Sequence, residues 1–139
     1  MVCFTVSTIL ATKTYTWSVF LTETGTISSK LYNLVGDIGA TNARFALVSP
    51  GSSEMENIQS LKCTDFEDIQ SAILFYLSDL KDIEIQAACF ATAGTVHLDV
   101  FKLANNHWVI SKKDVESHLK GVDVQWINDF TAQAFALNQ

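Results

Sequence analysis

A chain of 139 residues, 48% hydrophobic and only 17% charged, is long enough for one compact domain with a sizeable core, and the disordered, collagen-like and low-complexity classes are excluded. Nine Lys and Arg against fifteen Asp and Glu leave a net charge of −6. That is the wrong sign for a general nucleic-acid binder, because counterion release requires clustered cations, so no nucleic-acid partner is expected.

No run reaches the ~18 consecutive apolar residues of a membrane span, and no membrane association is expected. Val2 to Ala11 is mildly apolar but lacks the basic start and cleavage site of a secretory leader. Cys3, Cys63 and Cys89 are odd in number, widely spaced and without a zinc-finger histidine pattern, which reads as reduced thiols in a cytoplasmic protein.

Along the chain, residues 1–30 are rich in Thr and Ser. Val2, Phe4 and Val6, then Tyr15, Trp17, Val19 and Leu21, alternate with the period of two short strands. This segment carries no motif and reads as an extension of unassigned role. Residues 31–139 read as the domain proper. Leu31 to Gly36 predicts a strand, Asp37 to Asn42 a turn, Ala43 to Val48 a returning strand and Asn57 to Cys63 a third. Thr64 to Glu67 fits a capping box, and Phe66, Ile69, Ile73, Leu77 and Leu80 follow at helical spacing, predicting one helix to about Leu80. Glu84 to Ala91 predicts a buried strand and Val96 to Leu103 another. Ser111 to Asp114 is a second capping box, whose helix should end at Gly121. Val122 to Ile127 predicts a strand, and Thr131 to Leu137 an Ala-rich helix still apolar where the chain stops at Gln139. The order β-β-β-α-β-β-α-β-α is that of an α/β layered domain.

Three stretches have residue types suited to chemistry. In Gly36-Asp37-Ile38-Gly39-Ala40-Thr41-Asn42-Ala43-Arg44, small residues between two strands let backbone N–H groups approach an anion. Thr41 adds a hydroxyl and Asp37 a carboxylate able to hold Mg²⁺ through water; a plain hairpin turn fits the same residues. In Ile127-Asn128-Asp129-Phe130 a strand runs into a helix. Asp129 there suits a base for a substrate hydroxyl and Asn128 a neighbouring hydrogen-bond partner, while Asp129 as a simple N-cap is the alternative. In Leu103-Ala104-Asn105-Asn106-His107-Trp108, adjacent amides beside an aromatic suit a sugar, as they also suit a surface loop anchored by a buried Trp. His97, His107 and His118 show no ligand spacing.

In this order and spacing the three stretches resemble the signature motifs of the bacterial glucokinases, ATP-dependent hexokinases of the actin-like superfamily. Asp37 to Arg44 is similar to that family's Asp-Ile-Gly-Gly-Thr-Asn-Ala-Arg, with Ala40 in the second-Gly place. Ala93-Gly94-Thr95-Val96 followed by Ala104 to Trp108 resembles its Ala-Gly-Pro-Val and Thr-Asn-x-x-Trp, with Thr95 for Pro and Ala104 for Thr. Ile127 to Ala132 matches Ile-Asn-Asp-Phe-Thr-Ala.

The resemblance implies a ribonuclease H-like (actin-like ATPase) α/β domain, a mixed sheet with flanking helices. It implies phosphorylation of glucose at the 6-hydroxyl by ATP with Mg²⁺, the first step of glycolysis. Asp129 would be the catalytic base, and Asn105 and Asn128 would bind the sugar with it. Asp37 would hold the metal, and Asp37, Gly39, Ala40, Thr41, Asn42 and Arg44 would form the nucleotide-phosphate site. It further implies that residues 31–139 are the N-terminal lobe of a two-lobed kinase, inactive alone, with a homodimer as the complete form. A noncatalytic sugar-binding or regulatory module of the same superfamily is the alternative reading.

Overall fold

The computed structural model describes residues 29–128. Its framework is a five-stranded mixed sheet in which residues 55–62, 42–48, 30–38, 83–92 and 123–128 lie side by side in that order. Strand β1 (Lys30–Ile38) turns back into antiparallel β2 (Asn42–Val48), which pairs antiparallel with β3 (Met55–Lys62). On its other side β1 pairs in parallel with β4 (Ile83–Thr92), and β4 in parallel with β7 (Asp123–Asn128). Helix α1 (Ile69–Ser78) links β3 to β4. Between β4 and β7 lie a small hairpin of β5 (Val100–Lys102) and β6 (Val109–Ser111) and helix α2 (Lys112–His118). This is the mixed α/β sheet with flanking helices that the sequence motifs imply.

Side-chain alternation divides the sheet into two faces. Leu34, Ile38, Phe45, Leu47, Ala88, Phe90 and Val124 join Ile69, Ile73 and Tyr76 of α1 and Val115 of α2 in the main core. The opposite face carries smaller groups, Ala46, Ala87, Cys89 and Ala91 with Val35 and Val48, all buried. Gly36 completes the helix-covered face by omission. A Cβ there would stand 2.6 Å from Phe90 Cδ1 and 3.2 Å from Phe45 Cδ1, so only glycine lets both rings close over β1.

The five main strands agree with the alternation in the sequence to within two residues at each end, whereas two predictions shift and one short strand is unpredicted. The first helix starts at Ile69 rather than after Thr64. Cys63–Asp65 forms a 3₁₀ turn, Phe66 is extended, and Asp68 is the N-cap, its carboxylate accepting from Ser71 N at 2.7 Å while Ser71 Oγ accepts from Asp68 N. The cause is tertiary: Cys63 N–H donates to Thr41 O at 2.8 Å, and that tie holds the stretch out of the helix. The strand expected over Val96 to Leu103 shrinks to Val100–Lys102, because residues 95–98 make a turn closed by Leu98 N–H to Thr95 O. Val109–Ser111, unassigned from sequence, is its partner strand. Ser111 caps α2 as predicted, and Gly121, left-handed at φ +77, closes the turn by donating to Glu116 O at 2.8 Å. The two strands expected over Val2 to Val6 and Tyr15 to Leu21 and the helix expected after Asp129 lie outside the described residues.

Candidate functional site

The topology gathers the chemistry-bearing stretches at one edge. β1, β4 and β7 are mutually parallel, so the turn after Ile38, the loop after Thr92 and the end of β7 at Asn128 leave the sheet on the same side. Open α/β sheets bind ligands at this carboxyl edge. β3 is antiparallel to β2 and thus also ends there, which brings Cys63 beside the first turn.

The β1–β2 connection is a tight hairpin in which Gly39 N–H donates to Asn42 O at 2.9 Å. Ala40, Thr41, Asn42 and Arg44 are exposed, and Gly39 and Asp37 half-buried. Left-handed backbone among the described residues falls at Gly51, Asn57, Asp82, Asn105, Lys120 and Gly121, so Ala40 takes the second-Gly place without backbone strain. Asp37 is the penultimate residue of the central strand, held on both sides by ladders, opposite Arg44 in β2 and Ala91 in β4. A carboxylate there beside an open turn of N–H groups fits a phosphate-bound Mg²⁺, which takes one or two carboxylates and fills its remaining positions with phosphate oxygens and water.

The sugar-type amides divide in role. Asn105 is exposed and left-handed at φ +57, a conformation Asn tolerates better than most residues. Asn106 points inward with 7% of its surface exposed. Its Nδ2 donates to Gly39 O at 3.1 Å and its Oδ1 accepts from Trp108 N–H at 2.8 Å. Trp108, 1% exposed, anchors the loop through Nε1, which donates to Phe66 O at 3.2 Å, and His107 Nε2 lies 2.8 Å from the same carbonyl. Burial holds the Cys63 thiol above its ordinary value, opposed by the hydrogen bond from the Asn106 side chain. The protonated Sγ therefore donates to Gly39 O at 3.7 Å. Gly39, Asn106, Trp108, Phe66 and Cys63 form a closed bracket joining the first turn to the amide loop.

Asn128 is half-buried, and its Nδ2 donates to Gly94 O at 3.0 Å, which ties the end of β7 to the loop after β4. Thr92, between Ile38 and Asn128 in the ladders, buries a hydroxyl that finds no hydrogen-bond partner among the described residues. Asp129, the expected base, follows one residue past the described region. The structure thus brings Asp37, Gly39, Ala40, Thr41, Asn42, Arg44, Asn105 and Asn128 to one edge. Asn106, paired with Asn105 in the sequence as a sugar-type amide, instead faces inward, and with Cys63, which the sequence marks only as a reduced thiol, it fixes that edge. The doubled Asn was the available signal, since one amide of the pair faces the solvent and the other the core. A groove of about 510 Å³ walled by Leu74, Leu77, Ile83 and Leu119 opens at the opposite edge and holds none of the motif residues. Among the described residues no helix is long and apolar enough to cross a membrane.

Comparison with known proteins identifies the family of the chain. The family model "Glucokinase" matches residues 34–139. The glucokinase of Hahella chejuensis is 45% identical over 108 residues, covering 78% of this chain and 34% of that protein. The crystal structure of a glucokinase from an Antarctic psychrotroph is 33% identical with a TM-score of 0.70, over 77% of this chain and 35% of its own. That of Balamuthia mandrillaris glucokinase in complex with glucose is 26% identical with a TM-score of 0.53, over 71% and 30%. The chain spans about a third of the length of the curated relatives it matches. With all three motif stretches inside the matched residues and the same sheet beneath them, this chain belongs to the glucokinase family.

Proposed function

We propose that this chain is the N-terminal lobe of a cytoplasmic glucokinase, with residues 1–30 an extension and residues 31–139 the lobe, and that the complete enzyme, a homodimer, transfers the γ-phosphoryl group of ATP to the 6-hydroxyl of glucose. The observation that carries this reading is the convergence of the Asp37 turn, the Asn105 loop and Asn128 on the carboxyl edge, cross-tied by Asn106 to Gly39 O and Asn128 to Gly94 O. The regulatory alternative draws no support from the matched relatives, each of which is named a glucokinase.

In this reading Asn105 and Asn128 orient the sugar by hydrogen bonds to its hydroxyls, Asn128 with its amide plane set by the Gly94 carbonyl. Asp129 accepts the proton of the 6-hydroxyl as that oxygen forms its bond to the γ-phosphorus and the bond to the departing ADP oxygen breaks. The turn of Gly39, Ala40 and Thr41, with Asn42 and Arg44 at its flank, presents N–H, hydroxyl and guanidinium donors to the phosphates. Asp37 holds Mg²⁺, which supplies neutralisation of phosphate charge when bound with ATP. Positioning and charge stabilisation account for most of phosphoryl-transfer catalysis, and both are tasks for residues fixed at a sheet edge.

The test is Asp129→Asn in the complete enzyme. Glucose-dependent ATP turnover falls about 100-fold or more, on the scale of a general base, with the circular-dichroism spectrum and melting temperature retained. Wild-type turnover in that variant rejects the assignment. The 139-residue chain alone shows no glucose-dependent turnover, because a second lobe is needed to close over the substrates and exclude water.

A further inference from the structure

The bracket around Gly39 has a directional consequence. The Gly39 carbonyl accepts from Asn106 Nδ2 at 3.1 Å and from Cys63 Sγ at 3.7 Å, and both donors come from buried residues. The carbonyl therefore faces the protein interior. The C=O of Gly39 and the N–H of Ala40 belong to one peptide plane, and no peptide in the described structure is cis. In a trans peptide the two groups point in opposite directions. Pinning the carbonyl inward aims the Ala40 N–H outward, at an exposed residue on the carboxyl edge.

The geometry points to Asn106 as the positioning residue of the phosphate-binding turn: by holding Gly39 O, its amide presents the Ala40 N–H to a phosphate oxygen of the nucleotide. This rests on the proposed kinase reading and assigns a task to a residue that the motif resemblance leaves without one. Asn106 touches neither substrate in this role. Its Oδ1 serves the other loop by accepting from Trp108 N–H, so the two ends of one side chain can be tested separately.

Asn106→Asp retains an oxygen for Trp108 N–H but sets a carboxylate against the Gly39 carbonyl. The peptide plane turns over, the Ala40 N–H swings inward to the carboxylate, and one donor to the phosphates is lost. In the complete enzyme the KM for MgATP rises about tenfold or more, the scale of a charge-assisted hydrogen bond, while the KM for glucose changes less than about twofold. Asn106→Leu removes both ends of the bridge and raises both KM values. Cys63→Ala deletes only the weaker donor, keeps the fold with a small loss of volume, and raises the KM for MgATP alone by about two- to threefold.

A purely structural Asn106 would lower the melting temperature in Asn106→Asp without separating the two KM values, and that result overturns the inference. Should Asn106→Asp fail to fold, an unchanged KM for MgATP in Asn106→Leu overturns it equally. The two readings fail separately. A wild-type enzyme without glucose-dependent turnover removes the proposed function. In that case calorimetric binding of MgATP decides the present inference, supported by at least fivefold weaker binding in Asn106→Asp and overturned by equal binding.

Discussion

Replacing Gly36 with alanine places one methyl group where the structure has no room. The added Cβ would lie 2.6 Å from Phe90 Cδ1, 3.1 Å from Phe90 Cε1 and 3.2 Å from Phe45 Cδ1. The closest approach is about 1 Å short of the 3.5–4.0 Å optimum for carbon pairs. Neither ring can yield freely. Phe90 is fully buried with its centroid 5.0 Å from Trp126 and 6.3 Å from Phe45, and Phe45 is packed 5.5 Å from Tyr76. Overpacking of this kind costs about 1–3 kcal/mol, and the loss of unfolded-chain entropy on Gly→Ala returns about 0.4–1 kcal/mol. The net destabilisation is about 1–2 kcal/mol, which for a domain near 100 residues lowers Tm by roughly 5–15 °C. Thermal and urea unfolding of wild type and Gly36→Ala measure it. Repeating the pair in a Phe90→Leu background, where the ring is gone, should reduce the penalty by at least about 1 kcal/mol as a coupled pair requires. A Tm within about 2 °C of wild type, or an equal penalty in both backgrounds, refutes the packing argument.

Two further predictions rest on single interactions. Asp68→Ala removes the side chain that accepts from Ser71 N and opens the capping box of α1. It should cost about 0.5–2 kcal/mol in urea unfolding, and a change below about 0.3 kcal/mol would show that the cap is idle. The second concerns alkali. Burial pushes the Cys89 thiol up from 9.0 to about 12. Below pH 9 the thiol is protonated in both states, and its contribution to stability is fully present. Between pH 9 and 12 the unfolded chain ionises first and binds fewer protons than the folded one, so stability declines across that window, by about 4 kcal/mol at its end on 1.36 kcal/mol per unit. Cys89→Ala should flatten the alkaline limb of the urea midpoint against pH, and parallel curves for the two proteins would exclude Cys89 as the cause.

The framework was legible because its signals are local. Period-two alternation and the apolar run of Glu84 to Ala91 located the five main strands, and Ser111 with Asp114 located the cap of α2. The errors fall where a distant residue overrides a local preference. Thr64 has the residue type of an N-cap, but the bond from Cys63 N–H to Thr41 O spends that stretch on bracing a turn, and the helix begins four residues later at a cap of equal quality, Asp68. Val109–Ser111 is too short for its alternation to register, and it is a strand only because Val100–Lys102 lies beside it. The site divides in the same way. The residue types and order of Asp37, Thr41, Asn105 and Asn128 mark them as candidates, and the structure brings them to one edge. The bracing role of Asn106 and Cys63 was not legible, because it is a pair of contacts to one backbone carbonyl, and sequence spacing carries no information about a partner 67 or 24 positions away.

The two kinds of residue are also held by different means, and the difference bears on how the site is built. Asp37 belongs to the central strand, with ladders to β2 and β4 on either side and Gly36 locked beneath two rings, so its backbone is fixed by the core itself. The turn that follows and the Asn105 loop lie outside every ladder of the large sheet. What fixes them is the bracket of Asn106, Cys63, Trp108 and the Phe66 carbonyl, made of hydrogen bonds from side chains that are themselves buried. A rigid strand thus presents the carboxylate, while a buried polar network fixes the adjoining turn. Because Gly39 O is the point where that network meets the turn, a change at the carbonyl's partners should alter the turn, which the proposed function assigns to the nucleotide, without disturbing the strand that carries Asp37.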